Sequence, residues 1–211
     1  MSTRIQRASP GVTKGAARTP VQARSRATVQ AIIGATARVL ASRGYQKTTT
    51  NHIAAAAGVS IGSYYQYFAD KDAAIAACAA EFAQESLTFS WEHLHDAHHG
   101  LSQVRAWLGA LFERACQHES LLRVLFDEVP YTWSVPGVRD ALVGALEVVE
   151  QLDDHVELDD QRRHDRAFVI LKAAVAVTME VAAEPGLRAR GPAIIDELAH
   201  MIDSYLATGS R

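Results

Sequence analysis

From residue 24 to residue 43, Val29, Ile32, Ile33, Thr36, Val39 and Leu40 recur at three- and four-residue spacing, which marks one face of a helix that Gly44 then stops. Thr48-Thr49-Thr50-Asn51 offers cap oxygens to a short helix over 51–57. Gly58-Val59-Ser60 makes a tight turn, and Ser60 caps a third helix reaching Phe68. A long helix is expected from Lys71 to about His99, closed by Gly100. Further helices are expected over 102–117, 120–129, 138–156, 161–183 and 192–206. Pro-bounded "PYTWSVPG" and Pro/Gly-rich "EPGLRARGP" interrupt them. No window alternates with the period of a strand, so the fold class is all-α.

Gly and Pro divide the chain further. Pro10, Gly11, Gly15 and Pro20 break every helix in the first stretch, which reads as a disordered arm over 1–22. Two short helices joined by a Gly-containing turn and resting on a longer one describe a helix-turn-helix domain over 23–70. Residues 71–211 form a larger helical domain. The segment "AFVILKAAVAVTMEVAA" (167–183) is apolar on nearly every face, so it is expected to be buried on all sides. In a chain of 211 residues the simplest cover for it, together with 192–206, is a second copy, giving a two-fold four-helix interface.

Charge sharpens this division. Residues 1–72 carry ten Lys/Arg against Asp70 and Asp72, while the remainder carries 11 basic and 22 acidic residues. A basic end on an acidic body points to one part that meets nucleic acid and another that does something else. Four of the ten lie in the arm, so the excess survives without it. Two cysteines, Cys78 and Cys116, supply no disulfide framework and suit a reduced cytoplasm. No apolar run approaches a membrane span, and the N-terminus lacks the apolar core of a secretory signal.

The chemistry concentrates in "GVSIGSYYQYFADKD" (58–72), where Tyr64, Tyr65, Tyr67 and Phe68 cannot all share one side of a helix. Tyr64 and Phe68 are four apart and should pack inward. The outward rim is left to meet DNA. Gln66 can pair with an adenine edge, Tyr65 can donate to a base or phosphate, Ile61 can touch a thymine methyl, and Ser63 completes the rim. Gly62 lets the backbone approach the duplex. Thr50, Tyr67 and Lys71 suit the phosphates, and Arg24 and Arg26 add charge at the start of the first helix.

The stretch "TTTNHIAAAAGVSIGSYYQYFADKDAAIAA" (48–77) resembles the DNA-binding signature of the TetR family of bacterial transcriptional regulators, over roughly 24–77. The shared features are the Thr-rich cap, the "IA…AGVS" turn, the Gly-x-x-Tyr-x-Tyr-Phe helix and the Lys-Asp pair opening the next one. The resemblance implies a homodimer reading a palindromic operator, usually as a repressor, with a small effector in the C-terminal domain moving the reading helices apart. Two positions depart from the pattern. Ile61 stands where the family commonly has lysine, so operator preference cannot be transferred, and Tyr64 replaces a usual leucine.

In the larger domain Trp91, Trp107, Phe112, Tyr131 and Trp133 either line an apolar effector pocket, with His95 or Tyr131 as polar anchors, or fill the core. His95 and His99 have a spacing that can hold a metal, but no further ligand or HExxH arrangement accompanies them, and no metal or cofactor is expected. With no phosphate loop and no nucleophile elbow, an enzyme is disfavoured. A metal-assisted helical enzyme and a DNA-binding scaffold without a ligand stand as the alternatives to a regulator controlled by a small hydrophobic effector.

Overall fold

The computed structural model describes residues 20–95, 100–150 and 158–208, with side chains left undescribed at 20, 21 and 91–95. Ten α-helices succeed one another, and no strand occurs among the described residues. They are α1 (Pro20–Lys47), α2 (Thr50–Ala57), α3 (Ile61–Tyr65), α4 (Lys71–His95), α5 (Leu101–Gln117), α6 (Glu119–Arg123), α7 (Pro136–Glu150), α8 (Asp160–Ala183), α9 (Pro185–Arg188) and α10 (Gly191–Ala207).

Helix α1 begins at Pro20, inside the stretch expected as an arm, because proline is well placed in a first helical turn where its missing N–H has no partner to lose. Residues 1–19 of that arm lie outside the described residues. At its other end Gly44 leaves the helical region (φ 73°, ψ 172°), so the expected stop is a sharp break followed by one more turn. The carboxylate of Glu128 accepts the Tyr45 N–H at 2.8 Å across this break. The Thr48 hydroxyl donates to the Gly44 carbonyl at 2.7 Å.

The stretch expected as one helix over 120–129 is in fact two forms of helix. Helix α6 runs directly into a π-helical turn, Val124–Glu128, closed by Val129 N–H to the Val124 carbonyl at 3.1 Å. The extra residue in this turn shifts the following chain, which makes a 3₁₀ turn at Thr132–Ser134 before α7. Buried Thr132 holds the bend by donating to the carbonyl of Leu125.

Two large apolar clusters result. The first joins α1–α4 to the α6 and π-turn region: Ile32, Leu40, Ile53, Tyr64, Phe68 and Ile75 pack with Leu121, Val124, Leu125 and Val138. The boundary expected at residue 70 is therefore crossed by continuous core. The second fills the space between α5, α7, α8 and α10 around Trp107, Leu108, Leu171, Leu198 and Ile202. Close helix approach depends on two glycines, since a Cβ on Gly137 would lie 2.5 Å from the Ala80 Cβ and one on Gly191 2.2 Å from the Phe112 ring. Buried Arg166 ties α8 to the end of α10, donating to the carbonyls of Tyr205 (2.8 Å) and Leu206 (3.1 Å), where the helix dipole favours a cation. Helix α8 is not buried on every side. Phe168 and Val169 are half exposed, and with Met201 and Tyr205 of α10 they leave an apolar surface on this chain.

Candidate nucleic-acid interface and effector pocket

The candidate recognition helix α3 has only five residues, too few to be stable alone. Its neighbours fix it. The Thr49 hydroxyl caps α2 by accepting from His52 N–H at 3.2 Å, and Gly58 ends α2 in the left-handed region (φ 69°, ψ 28°). Ser60 then caps α3, accepting the Ser63 N–H at 3.0 Å, while the Ser60 and Ser63 hydroxyls pair at 2.9 Å. Tyr64 is wholly buried and donates its hydroxyl to the Asp70 carbonyl at 2.8 Å. Burial pushes its phenol up to about 12, so it stays a donor at any physiological pH. Phe68 is buried beside it, with ring centroids 5.9 Å apart.

With those two rings inside, the outer rim is as the helical wheel requires. Ile61, Gly62, Tyr65 and Gln66 are exposed, and Tyr65 keeps 54% of its surface open. The Tyr65 hydroxyl lies 3.2 Å from the Thr50 hydroxyl, which draws the first turn of α2 beside the reading helix. Ser63 is occupied in the cap, and half-buried Tyr67 packs against the core. Lys71 is also engaged. Its ammonium donates to the Tyr45 carbonyl at 3.0 Å and sits 4.1 Å from the centre of that ring. Arg24 and Arg26 are exposed on the first turns of α1. Lys47 was not singled out from the sequence. It is exposed at the end of α1, and its carbonyl meets the His52 ring at 3.1 Å beside the α2 N-terminus. Its position directly before the Thr-rich cap was the available signal.

Of the six residues expected to line a pocket, the four with described side chains do not share one cavity. Trp107 is wholly buried in the second core cluster. Phe112 packs against Gly191, and Trp91 and His95 lie outside the described side chains, as do His98 and His99. Tyr131 sits at the junction with the helix-turn-helix unit, where its hydroxyl donates to Asp72 Oδ1 at 2.9 Å. The Tyr45 hydroxyl donates to the same oxygen at 3.1 Å. Burial, and then the Asp72 carboxylate, push the Tyr131 phenol well above its ordinary value. Of the described four, Trp133 lines a cavity enclosed by α4, α5, the π-turn, α7 and α8. Its volume is about 50 Å³, below the usual range of ligand sites, so an occupant of more than a few atoms must reach out of it past Trp133.

The cavity wall is almost wholly apolar, with Phe82, Leu87, Leu111, Phe126, Val175 and Met179 prominent. Ser86 and Thr132 are the polar exceptions: Thr132 is hydrogen-bonded within the bend, whereas the buried Ser86 hydroxyl has no hydrogen-bond partner among the described residues. The π-turn contributes Leu125 and Phe126 to this wall, and the 3₁₀ turn contributes Thr132 and Trp133. Glu128 and Tyr131, from the same bend, hold α1 and α4. One short segment thus touches both the cavity and the base of the helix-turn-helix unit. Among the described residues no group of three or more His, Cys, Asp or Glu is placed to hold a metal, and no helix is long and apolar enough to cross a membrane.

Comparison with known proteins gives a consistent result. Residues 32–78 match the family described as "Bacterial regulatory proteins, tetR family". No curated protein matches the sequence. Among solved structures the chain resembles a TetR-family regulator from Mesorhizobium loti MAFF303099, with 18% identity, a TM-score of 0.66 and coverage of 88% of this chain and 98% of that one. It also resembles the fatty acid degradation regulator FadR from Bacillus halodurans, with 18% identity, a TM-score of 0.65 and coverage of 83% and 94%. FadR from Bacillus subtilis in complex with stearoyl-CoA gives 16% identity, a TM-score of 0.63 and coverage of 83% and 98%.

Proposed function

We propose that the chain, whose residues 32–78 match the TetR-family DNA-binding domain and whose fold resembles solved regulators of that family, is a DNA-binding transcriptional regulator: a cytoplasmic, homodimeric repressor released from a palindromic operator by a small hydrophobic effector. The observation that carries the reading is the division of α3. Tyr64 and Phe68 are held inside, while Ile61, Gly62, Tyr65 and Gln66 are left outward on a rigidly capped turn.

In this reading Gln66 and Tyr65 contact base edges, Ile61 meets a thymine methyl, and Thr50 and Lys47 hold phosphates. Tyr67 and Lys71 mainly fix the unit to the rest of the chain, with Lys71 keeping N–H groups for a phosphate. The dimer forms through α8 and α10, whose Phe168, Val169, Met201 and Tyr205 gain cover from a second copy. Two α3 helices then fall in successive major grooves, roughly 34–36 Å apart or a multiple of that. The effector occupies the cavity beside Phe126 and Trp133. By shifting the 124–134 bend it changes the grip of Glu128 and Tyr131 on α1 and α4, and with it the spacing of the reading helices. The apolar cavity supports such an effector, and the similar FadR structure with stearoyl-CoA shows that this fold can hold an acyl compound.

Selection of bound duplexes from genomic fragments identifies the operator. Titrations of Gln66→Ala against it should lose preference at one base pair, at a cost of about 1–3 kcal/mol. Lys47→Ala should weaken all duplexes alike and reduce the salt slope by about one. If both variants bind like the native protein, α3 does not read DNA.

A further inference from the structure

The cavity and its mouth differ in chemistry. Trp133 and Leu142 belong both to the small apolar cavity and to a wider groove on the outer side of α7 and α8, of about 470 Å³ and partly open to solvent. The groove floor is apolar. In the single chain Trp133 is 50% exposed, Val143 58% and Phe168 50%; Phe168 also borders the face proposed to meet a second copy, so the groove opens beside that interface. Its charged lining consists of Arg139, His164 and Lys172, with no carboxylate among the lining residues. That runs against the surrounding body, in which acids outnumber bases by 22 to 11 after residue 72.

The histidine is occupied, since Glu150 lies 2.7 Å from its ring. The other two cations are not. Neither Arg139 nor Lys172 makes a hydrogen bond or ion pair with any described residue, and the Lys172 ammonium only hovers 5.8 Å from the Trp133 ring and 5.6 Å from the Phe168 ring. A neutral hydrophobe would fill the cavity and leave both cations without purpose. A small anion without a tail would gain only solvent-exposed ion pairing, which is weak.

We infer that the effector is an amphiphile with an anionic head, its tail running from the apolar groove floor into the cavity past Trp133 and its carboxylate or phosphate at Arg139 and Lys172. The inference rests on the effector-controlled reading and names the chemical class and polarity of the ligand. Trp133 stands where tail meets head. Because the same residue is carried on the bend that holds α1 and α4, a molecule of this shape would bear on the coupling segment along its length.

Three ten-carbon probes at sub-micellar concentration test this by calorimetry: decanoate, decanol and decyltrimethylammonium. Decanoate should bind at least tenfold more tightly than decanol, and the cation most weakly. From octanoate to decanoate each added methylene should tighten binding about fourfold. Acetate, with the head alone, should not bind measurably. The surface double variant Arg139→Gln/Lys172→Gln should bring decanoate down to the level of decanol and leave decanol unchanged. Equal affinity for decanoate and decanol, or a preference that survives the double variant, overturns the assignment of the head group. If no ten-carbon probe binds while operator binding remains saturable and sensitive to Gln66→Ala, the assignment falls and the regulator reading stands. Loss of specific DNA binding in the native protein strikes the regulator reading instead.

Discussion

Gly44→Ala is the substitution that should do most damage for the fewest atoms added. Gly44 has φ 73° and ψ 172°, a region that residues with a Cβ scarcely enter, and holding one there costs about 1–3 kcal/mol. Space is a second obstacle. The new Cβ would sit 2.7 Å from Glu128 Oε2, the atom that accepts the Tyr45 N–H. If the carboxylate moves aside, that half-buried N–H loses its partner, for about 1–3 kcal/mol more. The total is about 2–6 kcal/mol, read as a shift in the urea midpoint at unchanged slope. Gly58→Ala is the control, because Gly58 is also left-handed but a Cβ there meets nothing within 4 Å. It should cost only about 1–2 kcal/mol. In a double-mutant cycle Glu128→Ala should recover part of the Gly44→Ala loss, since the collision and the broken hydrogen bond are counted once. A Gly44→Ala protein within 0.5 kcal/mol of native, or strict additivity with Glu128→Ala, would refute the argument.

Four further outcomes are expected. Thr178→Val should be neutral or stabilising by up to about 1 kcal/mol in thermal melts, because the wholly buried hydroxyl has no hydrogen-bond partner among the described residues. Tyr131→Phe should cost about 0.5–1.5 kcal/mol by removing the bond to Asp72, and should shrink the effect of effector on operator affinity in paired titrations. Burial, and then the Arg114 charge, hold the His118 imidazole below its ordinary 6.5, so its contribution is complete above pH 6.5 and is lost as pH falls through the folded value. His118→Gln should therefore show a smaller drop in melting temperature between pH 7.5 and 5.5 than the native chain. Burial pushes the Cys78 thiol up to about 12, so at pH 8 it should react with iodoacetamide only under denaturant, as followed by mass spectrometry.

The parts of the fold that depend on local rules were legible in the sequence. Gly44 and Gly58 both take positive φ, Ser60 caps α3, and the four-residue spacing of Tyr64 and Phe68 buries that pair. Pro20 misled because proline breaks a helix in its interior and not in its first turn. The π-turn at Val124–Glu128 left no mark, since one extra residue in a turn does not alter a run of apolar side chains. Aromatic identity could not sort Trp107 in the core from Trp133 at the cavity mouth, as both suit either place and only tertiary packing decides. The outward Phe168 and Val169 on α8 were hidden in the same way, within a segment too uniformly apolar to show a preferred face.

The capped turn around α3 has a consequence for how such a protein changes what it recognises. Everything that keeps the five residues in place lies at Ser60, Tyr64, Phe68 and the Thr50–Tyr65 hydroxyl pair, whereas Ile61, Gly62 and Gln66 support nothing inside the molecule. A Cβ on Gly62 would come no nearer than 3.8 Å to the Ser60 hydroxyl. On the proposed reading Tyr65 serves both address and chassis, whereas Ile61, Gly62 and Gln66 could explore new operator sequences with little risk to folding.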